Sequence, residues 1–360
     1  MVANIDIDSS TFFSKEYSEN PYPTLKLLRD QQPVYYNPLI KQWMVTRYED
    51  VMNIFADTEN FSASPNGDHI GAVFGPTLME FDGEEHRKLR GVVAPEFVGM
   101  KLQSLLPIVQ RNAMALIQKF TTKQASLIAE KAALKGEIDI VDDFATRLPL
   151  NVILDVLDLP QEAHEMFHSW YPAMMNGISG GPNLRIAGQK ANAEYHNYLD
   201  PLIKERSLNP GDDLLSRLSV TEVDGKRMTP AEIKSFASLI LVAGAETTDK
   251  AIANLWYQLL AHPDQWKAVQ GDPELLDRAF TEMMRIHGPA GAQTRKTIKD
   301  VNLHGVTIPA GEYVHLSLYG ANRDERVFKD PDTFNLFRDD LYFSKELRSG
   351  YFKDGAAGHL

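Results

Sequence analysis

The strongest constraint on the fold is a long stretch, residues 231–262, that contains no proline. Thr229, Pro230 and Glu232 at its start form a capping box with proline at the first helical position. At 1.5 Å per residue, a helix over this stretch is roughly 50 Å long. Its middle, from Leu239 to Ala245, is apolar on every side, which is typical of a helix that is buried all round. A buried helix of this length favours a predominantly helical protein.

The apolar middle of this helix contains or precedes residues that are unfavourable there. Glu246 and Thr247 place a carboxylate and a hydroxyl where both require partners or a cavity. Gly244 costs about 1 kcal/mol relative to alanine in a helix interior. Ala243 and Thr247 share one face, and with Gly244 they leave a shallow groove for a flat or small group. We therefore expect function at these four positions. The alternative is a helix kink in which Thr247 bonds to the carbonyl four residues earlier.

The rest of the sequence predicts helices and a small sheet. Residues 34–46 are typical of a β-hairpin, and residues 313–318 alternate as a strand does. Residues 102–134 have helical periodicity. Residues 61–80 contain several glycines and prolines and predict a long irregular loop. Because the strands come from both ends of the chain, we expect a single domain over residues 1–360 that is mainly α with a small β region.

Charge and cysteine content exclude several classes of function. The chain has 37 Lys and Arg against 49 Asp and Glu, a net charge of −12, which argues against binding nucleic acid or an anionic membrane. It has no cysteine, which excludes disulfides and cysteine-ligated metals within these residues. Neither a signal peptide nor an apolar run of roughly 20 residues is visible. We expect a cytoplasmic protein that binds neither nucleic acid nor membrane.

Several charged residues occur in informative contexts. Glu282 and Arg285 are three apart in a predicted helix and can form an ion pair, which the apolar residues around them would partly bury. His86 and Arg90 share a helix face, and in an acidic protein this cationic cluster suits an anionic ligand. Arg295 follows a loop that leads into the later strands. Each of these cations is equally compatible with a solvated surface.

A competing motif indicates a different chemistry. His164 and His168, with Glu165 between them, match the H-E-x-x-H pattern of zinc proteases. Two histidines at this spacing can bind zinc, with the glutamate as base. The only plausible third ligand is Glu194, beyond a glycine-rich break. A zinc hydrolase at His164 and His168 is therefore the alternative outside the main interpretation, and an exposed polar helix face explains the motif better.

The ordered set of motifs resembles the cytochrome P450 superfamily, in particular its soluble bacterial type. The residues that carry this resemblance are Ala243-Gly244-Ala245-Glu246-Thr247-Thr248, Glu282-Met283-Met284-Arg285 and Ala321-Asn322-Arg323-Asp324, followed by Phe328, Pro331-Asp332, Phe334 and Arg338. No single motif is specific, but their order and spacing together are. The resemblance implies the P450 fold, a haem b cofactor, and the oxidation or hydroxylation of a small apolar organic substrate with O₂ and two electrons.

The resemblance also implies roles for residues near the haem. Glu246 and Thr247 match the acid–alcohol pair that guides protons to dioxygen. His86, Arg90 and Arg295 match the residues that bind the haem propionates, and this agrees with the need of two carboxylates for clustered donors.

Two further roles follow from the same resemblance. Glu282 and Arg285 match a buried pair that fixes the haem-binding core together with a later arginine, for which Arg338 is the candidate. Residues 61–80 and 174–184 match the variable segments that shape the substrate pocket.

The sequence departs from the family pattern at the iron ligand. The family uses a cysteine thiolate in a glycine-rich loop, whereas this sequence has no cysteine and His359-Leu360 resemble the residues shortly before that loop. We therefore expect a P450 fold that lacks its C-terminal part and no stable haem in these 360 residues alone. The terminal His359 is a poor replacement ligand. The alternative within the family is a truncated haem-less fragment or binding module.

The resemblance finally implies how the complete protein obtains electrons. No reductase is fused to the P450-like region, so separate donors of the ferredoxin and ferredoxin reductase type are expected.

Overall fold

The computed structural model describes residues 7–130, 138–341 and Leu360, and it is mostly helical. In chain order the helices are α1 (Lys15–Glu19), α2 (Tyr22–Gln31), α3 (Tyr48–Ala56), α4 (Ala72–Phe74), α5 (Gly83–Val93), α6 (Gly99–Ser104), α7 (Leu106–Glu130), α8 (Arg147–Val156), α9 (His164–Ser179), α10 (Pro182–Leu208), α11 (Leu214–Val220), α12 (Pro230–Ala261), α13 (Pro263–Gly271), α14 (Leu275–His287) and α15 (Leu318–Ala321). The strands are β1 (Val34–Asn37), β2 (Gln42–Val45), β3 (Phe61–Ser62), β4 (Glu222–Val223), β5 (Lys226–Arg227), β6 (Ala292–Thr297), β7 (Val301–Leu303), β8 (Val306–Ile308) and β9 (Tyr313–Ser317). The expected fold class, mainly α with a small β region, is confirmed.

The chain divides into two compact units. The sheet unit comprises Met1–Pro65 and Ala251–Leu360, and the helical unit comprises Asn66–Lys250. The expected single domain over residues 1–360 stays a prediction, because two compact units can belong to one cooperative fold or to two.

The sheet unit contains a five-stranded sheet of order β1-β2-β9-β6-β3. Strands β1 and β2 form the predicted antiparallel hairpin, and β2 runs parallel to β9 with Gln42 opposite Tyr313. Val45, Val314 and Leu316 are fully buried in the apolar cluster of this sheet. The sheet therefore draws its strands from both ends of the chain, as the sequence predicts.

The helical unit is held together by close helix packing. Helices α9 and α10 touch backbone to backbone, because a Cβ on Gly188 would lie 2.9 Å from the Cα of Gly177. Phe167 on α9 meets Tyr195 and Tyr198 on α10 edge-to-face, with ring centroids 5.5 and 5.3 Å apart. Small residues and aromatic rings thus join α9 and α10 into one rigid pair.

Helix α12 begins where the capping box predicts. The Thr229 backbone amide donates to Glu232 Oε2 over 2.7 Å, and the Glu232 amide donates to Thr229 Oγ1 over 3.3 Å. The helix continues without interruption to Ala261, next to Pro263. The predicted long helix is therefore present.

Residues 61–80 correct the expectation of an irregular loop. They contain β3, a π-helical turn at Gly67–Gly71, the short helix α4 and a 3₁₀ turn at Leu78–Glu80. Side chains organise these turns, as when Asn66 Nδ2 donates to the Met79 carbonyl over 2.7 Å. Such contacts between distant residues leave no trace in local composition.

Within the described residues, no single helix is both long and apolar enough to cross a membrane. The bent pair Gly83–Phe97 and Gly99–Thr122, with 50° between its members, meets the length and composition requirement only in combination.

Candidate functional site

The middle of α12 changes from buried to open within two turns. Leu241 and Val242 are buried, whereas the side chains of Ala243 and Thr247 are exposed. The expectation that the helix is buried all round up to residue 245 is therefore wrong at Ala243. The open face holds a small side chain and a hydroxyl, as a flat ligand against the helix would require.

The hydroxyl of Thr247 adopts the local arrangement that the sequence offers as an alternative. Its Oγ1 donates to the Ala243 carbonyl over 2.9 Å, which is the back-bond of a helical threonine. This bond uses the hydroxyl proton and leaves the oxygen lone pairs facing the open side of the helix. Thr247 is thus placed to accept a hydrogen bond without leaving its rotamer.

Glu246 lies half-buried beside a lysine on its own helix. Lys250 Nζ donates to Glu246 Oε1 over 2.5 Å, one turn away. The lysine is itself half exposed, so the pair borders solvent. Glu246 and Thr247 are called the acid–alcohol pair. They follow the buried residues Leu241 and Val242 on α12.

Asp249 is a titratable residue of this region that the sequence reasoning missed. Burial raises the pKa of its carboxyl to about 6; Lys250 opposes the shift and Glu246 adds to it. Burial first, and then Asp249 and Glu246, also raise the pKa of Tyr171 on α9. A second acid one turn after Glu246 was a signal in the sequence, but only the packing shows that the Asp249 carboxyl is desolvated.

Gly244 has a packing role in the structure. A Cβ at this position would lie 2.6 Å from Ile153 Cδ1 on α8, closer than real side-chain contacts allow. The missing side chain therefore admits α8 rather than opening a groove, which corrects the physical reason given for Gly244. A role of Gly244 in cofactor binding stays a prediction.

The two cations on α5 are free to meet an anion. His86 is half-buried and Arg90 is exposed. Among the residues that the structure describes, neither side chain has an ion-pair or hydrogen-bond partner. Lys88 differs, since it pairs with Glu84 and Asp224. In the part of α5 that the structure describes, His86 and Arg90 thus lie on one face without partners, and the exposed Arg87 is likewise unpaired.

Arg295 lies on β6 in the sheet unit. Its guanidinium stands over the ring of Phe55, 4.9 Å from the centroid, and its Nη1 donates to the Thr294 carbonyl over 3.0 Å. The aromatic ring and the strand fix the direction of this side chain.

Glu282, Arg285 and Arg338 meet in the interior of the sheet unit and are named the arginine–glutamate cluster. Glu282 and Arg285 have fully buried side chains joined by two hydrogen bonds, of 2.7 Å from Nε and 2.8 Å from Nη2. Arg338 Nε lies 3.2 Å from Glu282 Oε1. Burial, followed by the charge of Arg285, lowers the pKa of Arg338. Glu282 therefore compensates Arg285 and shares the compensation of Arg338 with Asp340, whose Oδ1 lies 3.2 Å from Arg338 Nη1.

The cluster also holds the chain that follows α15. Arg285 Nη1 donates to the carbonyls of Asn322 and Pro331 over 2.8 and 2.7 Å. The Asn335 amide donates to Glu282 Oε1 over 3.0 Å. These bonds tie residues 322–338 to α14, so the cluster fixes an otherwise irregular segment.

The two histidines of the zinc motif have separate partners. His168 Nε2 lies 2.9 Å from Asn151 Oδ1, and His164 Nε2 lies 3.8 Å from Asp155 Oδ1. In the described part of the chain, no group of three or more His, Cys, Asp or Glu side chains is arranged to hold a metal ion. The zinc-hydrolase alternative therefore has no support.

Comparisons with known proteins agree with the fold and the motifs. The family model "Cytochrome P450" matches residues 36–341. Pulcherriminic acid synthase of Bacillus subtilis is 31% identical over 351 residues, which cover 96% of this chain and 82% of that protein. Vitamin D(3) 25-hydroxylase of Pseudonocardia autotrophica is 32% identical over 337 residues, covering 91% of this chain and 79% of that protein. The ligand-free structure of cytochrome P450 TbtJ1 superposes with a TM-score of 0.78 at 31% identity, covering 90% of this chain and 81% of that one.

A fold and motif set of this kind define a haem-dependent monooxygenase. The chain belongs to the cytochrome P450 family, of the bacterial type. Haem is the cofactor of this family. These findings confirm the resemblance to cytochromes P450 and the fold, and also the monooxygenase activity of the family and the cofactor that the sequence predicted.

The donor set of this chain fits part of a haem. The uncommitted His86 and Arg90 suit propionate carboxylates, and the open Ala243–Thr247 face of α12 suits a flat macrocycle. The thiolate that ligates iron in this family is not among the 360 residues, which contain no cysteine. His359, the poor replacement considered from the sequence, lies outside the described residues.

Proposed function

We propose that this chain belongs to a monooxygenase that, when complete, oxidises a small apolar organic substrate with O₂ and two electrons. The observation that carries this proposal is the exposed face of Ala243 and Thr247, which directly follows the buried residues Leu241 and Val242 of α12. The Thr247 hydroxyl beside the Glu246 carboxylate suits a reaction that consumes protons.

Thr247 and Glu246 are the residues proposed to handle protons. The Thr247 hydroxyl, anchored on the Ala243 carbonyl, accepts a hydrogen bond from water or a donor on the open side. The Glu246 carboxylate takes up protons from solvent once it parts from Lys250, which is a small movement because Lys250 is half exposed. When bound, haem supplies the iron centre at which dioxygen is activated.

His86, Arg90 and Arg295 are proposed to bind the propionates. His86 and Arg90 offer free donors on one face of α5, and Phe55 holds Arg295 in a fixed direction. Charge-assisted bonds to carboxylates are about twice as strong as neutral ones. Ala243 and Gly244 are proposed to line the macrocycle on the helix side.

The arginine–glutamate cluster is proposed to support the haem-binding core rather than to touch the cofactor. Glu282, Arg285 and Arg338 hold residues 322–338 on α14. The cluster is therefore proposed to fix the position of residues 322–338.

Residues 61–80 and 174–184 are proposed to shape the substrate pocket. One relative is named vitamin D(3) 25-hydroxylase, which supports the hydroxylation of an organic substrate here. Electron donors of the ferredoxin and ferredoxin reductase type and a cytoplasmic location complete the proposal. The acidic net charge of −12 supports the absence of nucleic-acid binding.

Haem titration of the purified protein tests this proposal. Because the thiolate ligand is not among these residues, we expect only weak and reversible haem binding, with affinity reduced roughly tenfold or more in Arg90→Ala, where one charge-assisted contact to a propionate is lost. Arg87→Ala is the matched control, since Arg87 is an exposed arginine on the same helix. Because the 360 residues contain no cysteine, the readout is affinity rather than a thiolate spectrum. Equal affinities for the two variants would remove Arg90 from the site, and no uptake at all would overturn haem binding by these residues.

A further inference from the structure

The short helix α4 ends in a way that leaves its carbonyls without backbone partners. Gly75, which follows it, has φ +83°, and Pro76 has no amide hydrogen to donate. The last carbonyls of a helix then require other donors. Ala72–Gly75 is named the strap, and its three helical carbonyls pose the question of what satisfies them.

Side chains of two long helices supply these donors in order. Gln189 Nε2 on α10 donates to the first strap carbonyl over 2.8 Å, and Asn192 Nδ2 donates to the second over 3.0 Å. Ser235 Oγ on α12 donates to the third, that of Phe74, over 3.0 Å. Gly75 admits this contact, since a Cβ there would lie 3.0 Å from Ser235 Oγ.

Behind the second bond lies a chain of hydrogen bonds with only one possible direction. The Val73 carbonyl can only accept, so Asn192 donates with its amide nitrogen and accepts with Oδ1. Ser238 Oγ lies 2.7 Å from that oxygen and therefore donates to it. His196 Nε2 lies 2.9 Å from the same hydroxyl, whose proton is already used. His196 must therefore carry a hydrogen on Nε2.

The chain is desolvated at its centre. Asn192 is 5% exposed and Ser238 is fully buried, and Val73 and Phe74 of the strap are buried in the apolar core of the helical unit. Burial, with Lys234 as a smaller cause and Asp200 opposing it, lowers the pKa of His196 to about 4. A buried donor that loses its acceptor is left unsatisfied, so the bonds form or break together.

We propose that Asn192, Ser235 and Ser238 are positioning residues that latch the strap Ala72–Gly75 onto α10 and α12, and that the strap opens and closes as one unit. The proposal rests on the proposed function in one respect, that residues 61–80 border the substrate pocket. On that basis the latch sets the position of one pocket wall and thereby limits which apolar substrates fit.

Hydrogen exchange of the strap, followed by mass spectrometry on the whole chain, tests the latch without haem or substrate. Asn192→Leu removes the central bond and should raise exchange in the peptide that contains the strap about tenfold, since one buried hydrogen bond is lost. Ser235→Ala should act in the same direction. Asn197→Ala is the matched control, because Asn197 is an exposed asparagine on the same helix without a partner in the described residues.

Two results would overturn the latch. Unchanged strap exchange in Ser235→Ala and Asn192→Leu would show that apolar packing alone holds the strap. A rise of equal size throughout α10 would show that these residues serve general stability. Where Asn192→Leu does not fold, Ser235→Ala decides, because it removes only a hydroxyl.

A separate experiment tests the direction of the hydrogen bonds that link His196, Ser238 and Asn192. ¹⁵N NMR of the histidine rings should show His196 with its hydrogen on Nε2 near pH 7, and a hydrogen on Nδ1 alone would contradict the assignment. Vitamin D3 then probes the pocket. Slower strap exchange in its presence supports the pocket wall, whereas an unchanged rate at a concentration where equilibrium dialysis shows vitamin D3 to be bound would contradict that part alone.

Discussion

The arginine–glutamate cluster and the acid–alcohol pair each contain a carboxylate on a helix, but the surroundings of the two carboxylates differ. Glu282 is fully buried and receives hydrogen bonds from Arg285 and from the Asn335 amide. Glu246 is half-buried and meets one half-exposed lysine. The partners of Glu282 all lie within the fold, whereas one side of the acid–alcohol pair is exposed to solvent. The closed surroundings support a structural role for Glu282, and the open side of Glu246 agrees with the functional role proposed for it.

The largest effect is expected at the cluster. Glu282→Gln leaves the buried Arg285 without a carboxylate and Arg338 with Asp340 as its remaining one, and it should lower the free energy of unfolding by about 3–5 kcal/mol. Urea unfolding measures this loss. Glu19→Gln serves as the control, because Glu19 pairs with Lys15 at 3.5 Å on the surface, where a pair is worth about 0–1 kcal/mol. A loss no larger than that of the control would show that the cluster does not stabilise the fold.

A smaller loss is expected where α12 meets α8. Gly244→Ala places a methyl group 2.6 Å from Ile153 Cδ1, and overpacking of this kind lowers stability by about 1–3 kcal/mol. Thermal unfolding should show partial recovery when Ile153→Val is added, because Cδ1 is removed while Cγ1, 2.7 Å from the added Cβ, remains. Gly91→Ala on α5 meets no atom within 4 Å and should stabilise slightly. If Gly244→Ala did not lower thermal stability, the packing role of Gly244 would be contradicted, and the groove expected from the sequence would again explain the glycine.

The open region should also show in the pH dependence of stability. Burial raises the pKa of Asp249 from 3.8 to about 6, so between these values the folded chain binds more protons than the unfolded chain. Asp249 therefore destabilises the fold fully above pH 6 and ceases to do so below pH 4. Asp249→Asn should be more stable than the parent at pH 8, and the difference should vanish at pH 4. A difference independent of pH would contradict the burial of this carboxyl.

The smallest effect on stability is expected at Thr247. Thr247→Ala loses an exposed hydrogen bond, and its unfolding free energy should change by less than about 0.5 kcal/mol. In the complete enzyme, haem and substrate binding should remain, while electrons should be diverted to hydrogen peroxide instead of product. Thr247→Ser is the matched control, since it keeps the hydroxyl. Unchanged coupling of electron use to product in Thr247→Ala would remove this residue from the mechanism.

Local sequence signals predicted the parts of this fold that local chemistry decides. The capping box at Thr229 and the hairpin of residues 34–46 follow from adjacent residues, and both are present. The turns in residues 61–80 could not be predicted, because Asn192 and Ser235, far along the chain, supply their donors. Gly244 shows the same limit, since only the position of Ile153 reveals its packing role.

The candidate site was predictable to a similar extent. The spacing of Glu282 and Arg285 and the resemblance to a known family predicted a buried pair, and the structure shows this pair and brings Arg338 to the same carboxylate. Spacing could not show that Asp249 is desolvated or that His86 and Arg90 are uncommitted, because both depend on packing between helices.

Urea unfolding of Glu246→Gln and Glu282→Gln, measured side by side, tests most directly the contrast between the closed arginine–glutamate cluster and the open acid–alcohol pair. Both variants replace a helical carboxylate by the amide of the same shape. We expect Glu246→Gln to lose less than about 1 kcal/mol, since its partner is half exposed, and Glu282→Gln to lose several times more. Equal losses, or a larger loss at Glu246, would contradict the assignment of a structural role to one carboxylate and a functional role to the other.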